Sequence, residues 1–93
     1  MTNPSGTSSS TAPNIDIDTL RLEIDQLDRT ILTAIQRRTE ISHAIGAARM
    51  ASGGTKLVHV REMAVLQRFS ELGPEGRQLG MLLLSLGRGR LGH

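Results

Sequence analysis

Cysteine, tryptophan and tyrosine are absent from the sequence, phenylalanine occurs once, at Phe69, and lysine once, at Lys56. The missing cysteine excludes disulfides, thiol nucleophiles and cysteine-based zinc sites, and makes a reducing cytoplasm the default compartment. With so few aromatics, any core must be aliphatic. In a chain of 93 residues, 38% of them apolar, such a core is marginal, because a domain this small buries only about 60–65% of the surface its unfolded chain exposes. Self-association is the expected remedy. No apolar run approaches the roughly 18 residues of a membrane span, and residues 1–13 lack the basic and apolar regions of a signal peptide. A soluble, cytoplasmic, single-domain protein without a membrane partner is expected.

The scarcity of lysine carries a second message. Ten of the eleven cationic side chains are arginines, so the pI reaches 10.4 although the net charge is only +2. Arginine is favoured where a planar, permanently charged donor meets a carboxylate or phosphate, which points to an anionic ligand. The modest net charge argues against a broad footprint on nucleic acid. The charges are also segregated, with residues 14–35 at net −3 and residues 36–61 at net +4.

Residues 1–13, rich in Ser, Thr, Gly and Pro, predict a disordered tail. From there Ile17, Leu20, Ile24, Leu27, Ile31, Ala34, Ile41, Ile45 and Ala48 recur in steps of three and four, the mark of one helix face. Asn14, Asp16 and Asp18 are candidate caps. Gly46 interrupts the run at a cost of about 1 kcal/mol against Ala, and the stop comes at Ser52-Gly53-Gly54. A helix over about residues 16–51 is roughly 50 Å long, against a diameter of about 32 Å for a compact chain of this size. Its apolar stripe therefore needs a partner. Acid in the first half and base in the second suit antiparallel pairing of two copies. After a loop, a second helix places Val58, Glu62, Val65, Leu66, Phe69 and Leu72 near one side. Gly73-Pro74 stops it and starts a third, apolar nearly all round from Met81 and so expected to be buried. The fold class expected is all-α, three helices, one long and two short, forming an intertwined antiparallel homodimer. Its domain spans residues 14–86, followed by a Gly/Arg-rich tail at 87–93.

Several arginines break the pattern. Arg38 lies seven residues after Ile31 and seven before Ile45, where an aliphatic residue belongs, and a buried unpaired charge is expensive. Arg49, eleven residues on, points to the same side about 16 Å further along. Arg21 lies about 25 Å before Arg38 on the same helix, and reaches that site only from an antiparallel partner. Arg61 returns from the second helix, followed at once by Glu62. Four cations with one carboxylate around an apolar interior describe a pocket for a small dianion bearing a hydroxyl. The plainer alternative is that each arginine is solvated or salt-bridged at the surface, with Glu40 or Asp28 as partners.

The order Asp18-Thr19-Leu20-Arg21-x-Glu23-Ile24-Asp25-x-Leu27-Asp28, then Leu32 to Arg37-Arg38, Ile45-Gly46 to Arg49, and Val58-x-x-Arg61-Glu62, resembles the all-helical chorismate mutases over most of the chain. Met50-Ala51-Ser52-Gly53-Gly54-Thr55 and the ending Gly87-Arg88-Gly89-Arg90-Leu91-Gly92-His93 resemble the short intracellular actinobacterial subclass. The resemblance implies rearrangement of chorismate to prephenate in phenylalanine and tyrosine biosynthesis, an intramolecular reaction requiring no metal, cofactor or nucleophile. It implies that Arg21 of the partner chain, Arg38 and Arg61 hold the two carboxylates, and that Arg49, where many relatives carry Lys, faces the breaking ether oxygen. Glu62 is implied as acceptor of the ring hydroxyl, with Thr55 and Val58 lining the pocket.

Two departures from the family pattern stand out. Val58 replaces an Asp, and Leu84 and Arg88 replace a Ser and a Gln, so the second donor to the ether oxygen is missing. Weak activity alone is expected. The resemblance further implies activation by docking to DAHP synthase, the first shikimate-pathway enzyme, through the tail segment Arg90, Leu91, Gly92 and His93. Plain disorder and an RGG-like segment are the other readings of that tail, the second disfavoured by its lack of aromatics. His43, His59, Met50, Met63 and Met81 read as surface or packing residues. The alternative function is a non-catalytic helical dimer, either a regulatory subunit or a nucleic-acid binder.

Overall fold

A computed structural model describes residues 15–54 and 58–89. They form helix α1 (Ile17–Ala51), helix α2 (His59–Phe69), a short 3-10 turn (Ser70–Leu72) and helix α3 (Pro74–Arg88), with no strand among the described residues. The all-α reading with one long and two short helices holds. The expected tail at 1–13, the candidate cap Asn14, the pocket residue Thr55 and the docking residues Arg90, Leu91, Gly92 and His93 lie outside the described residues.

Of the remaining cap candidates, Asp16 serves. Its Oδ1 accepts the backbone N–H groups of Asp18 at 3.1 Å and Thr19 at 3.4 Å, and its Oδ2 accepts the Thr19 hydroxyl. These bonds satisfy donors that the first helical turn leaves orphaned. The Thr19 hydroxyl foremost, and then the backbone donors, hold the Asp16 carboxyl below the usual carboxylate range. At the other end the Arg49 carbonyl accepts the Gly54 N–H at 2.8 Å and the Ser52 hydroxyl at 3.0 Å. Gly53, at φ +86°, makes the left-handed turn that ends the helix.

The chain divides into two units, Met1–Leu32 and Thr33–His93, and α1 belongs partly to each. In the first, every described residue is exposed. Ile17, Ile24 and Ile31 recur at intervals of seven, with Leu20 and Leu27 between them, and this whole apolar ladder is open to solvent.

The second unit holds the core. Among the described residues two apolar side chains are buried, Val65 of α2 and Leu83 of α3. The other buried residues of α3 are Gly76, Gly80 and Gly87. Steps of four, three and four place all four on one stripe of roughly 60°. Glycine is needed there because backbones approach closely: a Cβ on Gly76 would overlap the Phe69 carbonyl oxygen, and one on Gly80 would stand 3.3 Å from Leu66 Cδ2. Gly76→Ala is accordingly expected to cost about 1–3 kcal/mol as an overpacked site, read as a lower urea midpoint with the helical circular dichroism retained.

This stripe corrects the expectation that α3 is buried all round from Met81. Met81, Leu82 and Leu86 are 49–63% exposed, because α2 and the second part of α1 cover only the glycine side. The expected boundary of the tail at residue 87 also moves, since α3 continues through Arg88. Two contacts hold the extra turn. Gly87 stands so close to α1 that a Cβ there would lie 3.0 Å from Ser42 Cβ, and the Leu86 carbonyl accepts both the Gly89 N–H at 3.1 Å and His43 Nε2 at 3.0 Å. Leu72, expected on the covered side of the second helix, lies instead in the 3-10 turn and is 67% exposed. On α1, the half-buried side of this unit carries Ile35, Arg38, Thr39, Ser42, Gly46 and Arg49. The helix passes through Gly46 without a break. No helix among the described residues is long and apolar enough to cross a membrane.

Candidate active site

The second unit forms a half-open cavity of about 330 Å³. From α1 it is lined by Arg38, Ser42, Gly46 and Arg49, from the start of α2 by Val58, Arg61 and Glu62, and from the end of α3 by Leu84, Gly87 and Arg88. Of the sequence-expected site residues, the structure thus brings together Arg38, Arg49, Val58, Arg61, Glu62, Leu84 and Arg88. Arg21 belongs to the other unit and is not among the lining residues. Ser42, Gly46 and Gly87 were missed. Their signal was available in the spacing, because Ser42 follows Arg38 by four and precedes Arg49 by seven.

Helix termini place most of the charge. Arg49 sits in the last turn of α1, and Arg88 in the last turn of α3, positions that favour cations beside the negative helix end. Arg61 and Glu62 occupy the first turn of α2, whose cap residue is Val58 in an extended conformation, φ −121°, with no side-chain hydrogen bond to the helix. Gly54 leaves room for Arg49: a Cβ there would come within 2.7 Å of Arg49 Cγ.

Arg38 is half-buried, and its Nη1 donates to the Leu83 carbonyl at 3.2 Å. Burial first, and then the charges of Arg61 and Arg68, lower its pKa from the usual arginine value. Arginine stays a cation under such a shift, so the cavity holds positive charge under mutual repulsion, an arrangement that an entering anion relieves. Arg88 Nη2 donates to both oxygens of Glu62, at 2.8 and 2.9 Å. The carboxylate expected to receive a ligand hydroxyl is therefore already engaged on one side.

Arg38 and Arg49 are half-buried, whereas Arg61 is exposed. Glu40 pairs with the exposed Arg37 at 3.1 Å, a contact worth a few tenths of a kcal/mol at most. Among the described residues no carboxylate pairs with Arg38, Arg49 or Arg61. No three His, Asp or Glu side chains gather in metal-binding geometry among the described residues. The cavity offers three guanidinium groups without a carboxylate partner among the described residues, a fourth bonded to Glu62, and apolar walls from Val58, Val65 and Leu84.

Comparison with known proteins agrees with this geometry. The family described as chorismate mutase type II matches residues 20–82. The intracellular chorismate mutase of Mycobacterium tuberculosis is 67% identical over 81 residues, covering 87% of this chain and 77% of that protein. That of Mycolicibacterium smegmatis is 68% identical over 79 residues, covering 84% and 76%. A chain from the complex of DAHP synthase and chorismate mutase of Corynebacterium glutamicum, solved with a bound transition state analog, superposes with a TM-score of 0.76 at 55% identity, covering 82% of this chain and 93% of that one. With the family pattern matching residues 20–82, from α1 into α3, the chain belongs to the type II chorismate mutases, the all-helical isomerases of that name.

Proposed function

We propose that this cavity binds chorismate and promotes its rearrangement to prephenate in the cytoplasm, as a step toward phenylalanine and tyrosine. The observation that carries the reading is the trio Arg38, Arg49 and Arg61, which face one cavity with no carboxylate partner among the described residues. Chorismate is a dicarboxylate with a ring hydroxyl, and its rearrangement is intramolecular. The protein's task is to hold the compact reactive conformer and to meet the negative charge that develops on the breaking ether oxygen. Arg38 and Arg61 bind the carboxylates, Arg49 faces the ether oxygen, and Glu62 accepts the hydroxyl. Each carboxylate oxygen has two acceptor sites, so the bidentate bond from Arg88 leaves Glu62 able to take the substrate's O–H. Thr55 is a further candidate for contact with the substrate.

The site is completed in a homodimer. Support comes from the open ladder of Ile17, Leu20, Ile24, Leu27 and Ile31, a surface of the kind that stable monomers do not leave uncovered. Antiparallel pairing along α1 carries Arg21 of one copy toward the arginine end of the other, adding a further cation for the carboxylates. The complex from Corynebacterium glutamicum contains DAHP synthase together with chorismate mutase, and it supports the same partner here, docked through Arg90, Leu91, Gly92 and His93. The purified chain is expected to consume chorismate slowly, followed by loss of its ultraviolet absorbance, and several-fold faster when DAHP synthase from the same organism is added. No turnover under either condition would overturn the reading; equal rates would remove the partner.

Val58→Asp is expected to improve the free enzyme. Asp is a strong cap, worth about 1 kcal/mol over an uncapped helix start, and Val58 makes no cap bond. The same carboxylate sits on the cavity wall as a second acceptor for the substrate hydroxyl. One such hydrogen bond is worth about 1 kcal/mol, or about fivefold in kcat/KM, checked by steady-state kinetics together with the melting temperature.

A further inference from the structure

The proposed site absorbs the arginines and Glu62 but leaves His43 unused, and its contact is specific. His43 is exposed on α1 and is not among the cavity-lining residues, yet its Nε2 lies 3.0 Å from the Leu86 carbonyl on α3. Because that partner is a carbonyl oxygen, the ring nitrogen donates, which both the Nε2–H neutral tautomer and the cation allow. The Leu86 carbonyl also accepts the Gly89 N–H at 3.1 Å, closing the last turn of α3. Gly89 follows at φ +76°, and a Cβ there would stand 3.2 Å from His43 Nε2, so the imidazole lies directly against the helix end. Between the two sits Arg88, whose guanidinium holds both oxygens of Glu62.

We propose that His43 is a positioning residue for the reaction: by donating to the Leu86 carbonyl it fixes the last turn of α3, which sets Arg88 on Glu62 and thereby orients the acceptor of the substrate hydroxyl. The inference deepens the proposed function and rests on it for its kinetic part. Helix ends fray because their last carbonyls lack intrahelical partners, and this one carries glycine on both sides of Arg88. Without an external donor, the turn that presents Arg88 is the weakest part of α3. Arg38 supplies a comparable bond one turn earlier, to the Leu83 carbonyl at 3.2 Å, and Ser42 meets Gly87 between the two. His43 holds the distal end of that contact.

The test uses the full-length chain with His43→Ala, His43→Gln, Arg88→Gln and the double variant His43→Ala/Arg88→Gln. Glutamine keeps an amide donor at the reach of Nε2, so it is the rescue. In substrate-free protein, the Arg88 side-chain Nε–H signal, assigned by its loss in Arg88→Gln, is expected to shift and to exchange faster with water in His43→Ala, and to stay at its wild-type position in His43→Gln. In kinetics, His43→Ala is expected to lower kcat/KM about fivefold, the worth of one net hydrogen bond. His43→Gln restores it, and the drop vanishes in the Arg88→Gln background, since residues acting through one another are non-additive. An unchanged Arg88 signal in His43→Ala, or the same fivefold drop with and without Arg88, overturns the proposal. If His43→Ala loses helicity by circular dichroism, His43→Asn takes its place, its amide being too short to reach Leu86. If the wild-type chain does not turn over chorismate, the functional reading fails, and the side-chain signal alone decides whether His43 holds Arg88.

Discussion

An Arg49→Ala chain is expected to lose about 10²–10³-fold in kcat, the scale seen when one donor to a developing oxyanion is removed, while its far-ultraviolet circular dichroism stays that of the parent. The separation of activity from folding follows from how Arg49 is built into the helix end. What the fold uses is its carbonyl, tied to the Gly54 N–H and the Ser52 hydroxyl, and alanine keeps that carbonyl. What the proposed reaction would use is the guanidinium of this half-buried residue, free of any carboxylate partner among the described residues. The charge that alanine removes therefore contributes little to the fold and much to a transition state that accumulates negative charge on the ether oxygen. Arg49→Lys keeps a cation at this place and should fall by no more than about tenfold. A kcat for Arg49→Ala within a few-fold of the parent would remove Arg49 from its proposed role.

Mixing two inactive variants is expected to restore activity. Arg21→Ala damages the proposed dianion site through the partner chain, and Arg49→Ala damages it from within. In a mixed dimer one site carries both lesions and the other carries neither, because a twofold assembly pairs the same surfaces of both copies. Random exchange makes half the dimers mixed and one of their two sites intact, so activity should rise from near zero to about one quarter of the parent's. Recovery after co-refolding, absent when the proteins are combined without exchange, is the measurement. Failure to recover would mean that Arg21 does not serve a neighbour's cavity. The result is independent of how tightly DAHP synthase binds.

The outline of the fold was readable wherever glycine, proline and periodicity agreed. The span expected for the first helix, about 16–51, matches Ile17–Ala51, and the breaks at Gly53-Gly54 and Gly73-Pro74 fall where the structure has them. The candidate site was readable for a different reason: Arg38 interrupts a register of isoleucines, and a charge in such a place needs a purpose. The side of α3 that packs was not readable. Hydropathy assigns burial to Met81, Leu82 and Leu86, whereas the covered stripe is Gly76, Gly80, Leu83 and Gly87, where the absence of a side chain is what allows the contact. Arg88 was an expected site residue, but its pairing with Glu62 was not readable, because the contact depends on α3 continuing through Arg88 and the donor beside that last turn, His43, lies far away in sequence.

The small number of buried apolar side chains has a calorimetric consequence. With Val65 and Leu83 the only buried apolar side chains among the described residues, little apolar surface is released when a single copy melts, and the heat-capacity step of unfolding follows the apolar surface released. Melting of one isolated copy should show a step well below the usual 12–15 cal/mol/K per residue, whereas melting of an assembled pair should approach it. The size of that step, followed while the protein is diluted, would then report how much of the core belongs to a neighbour.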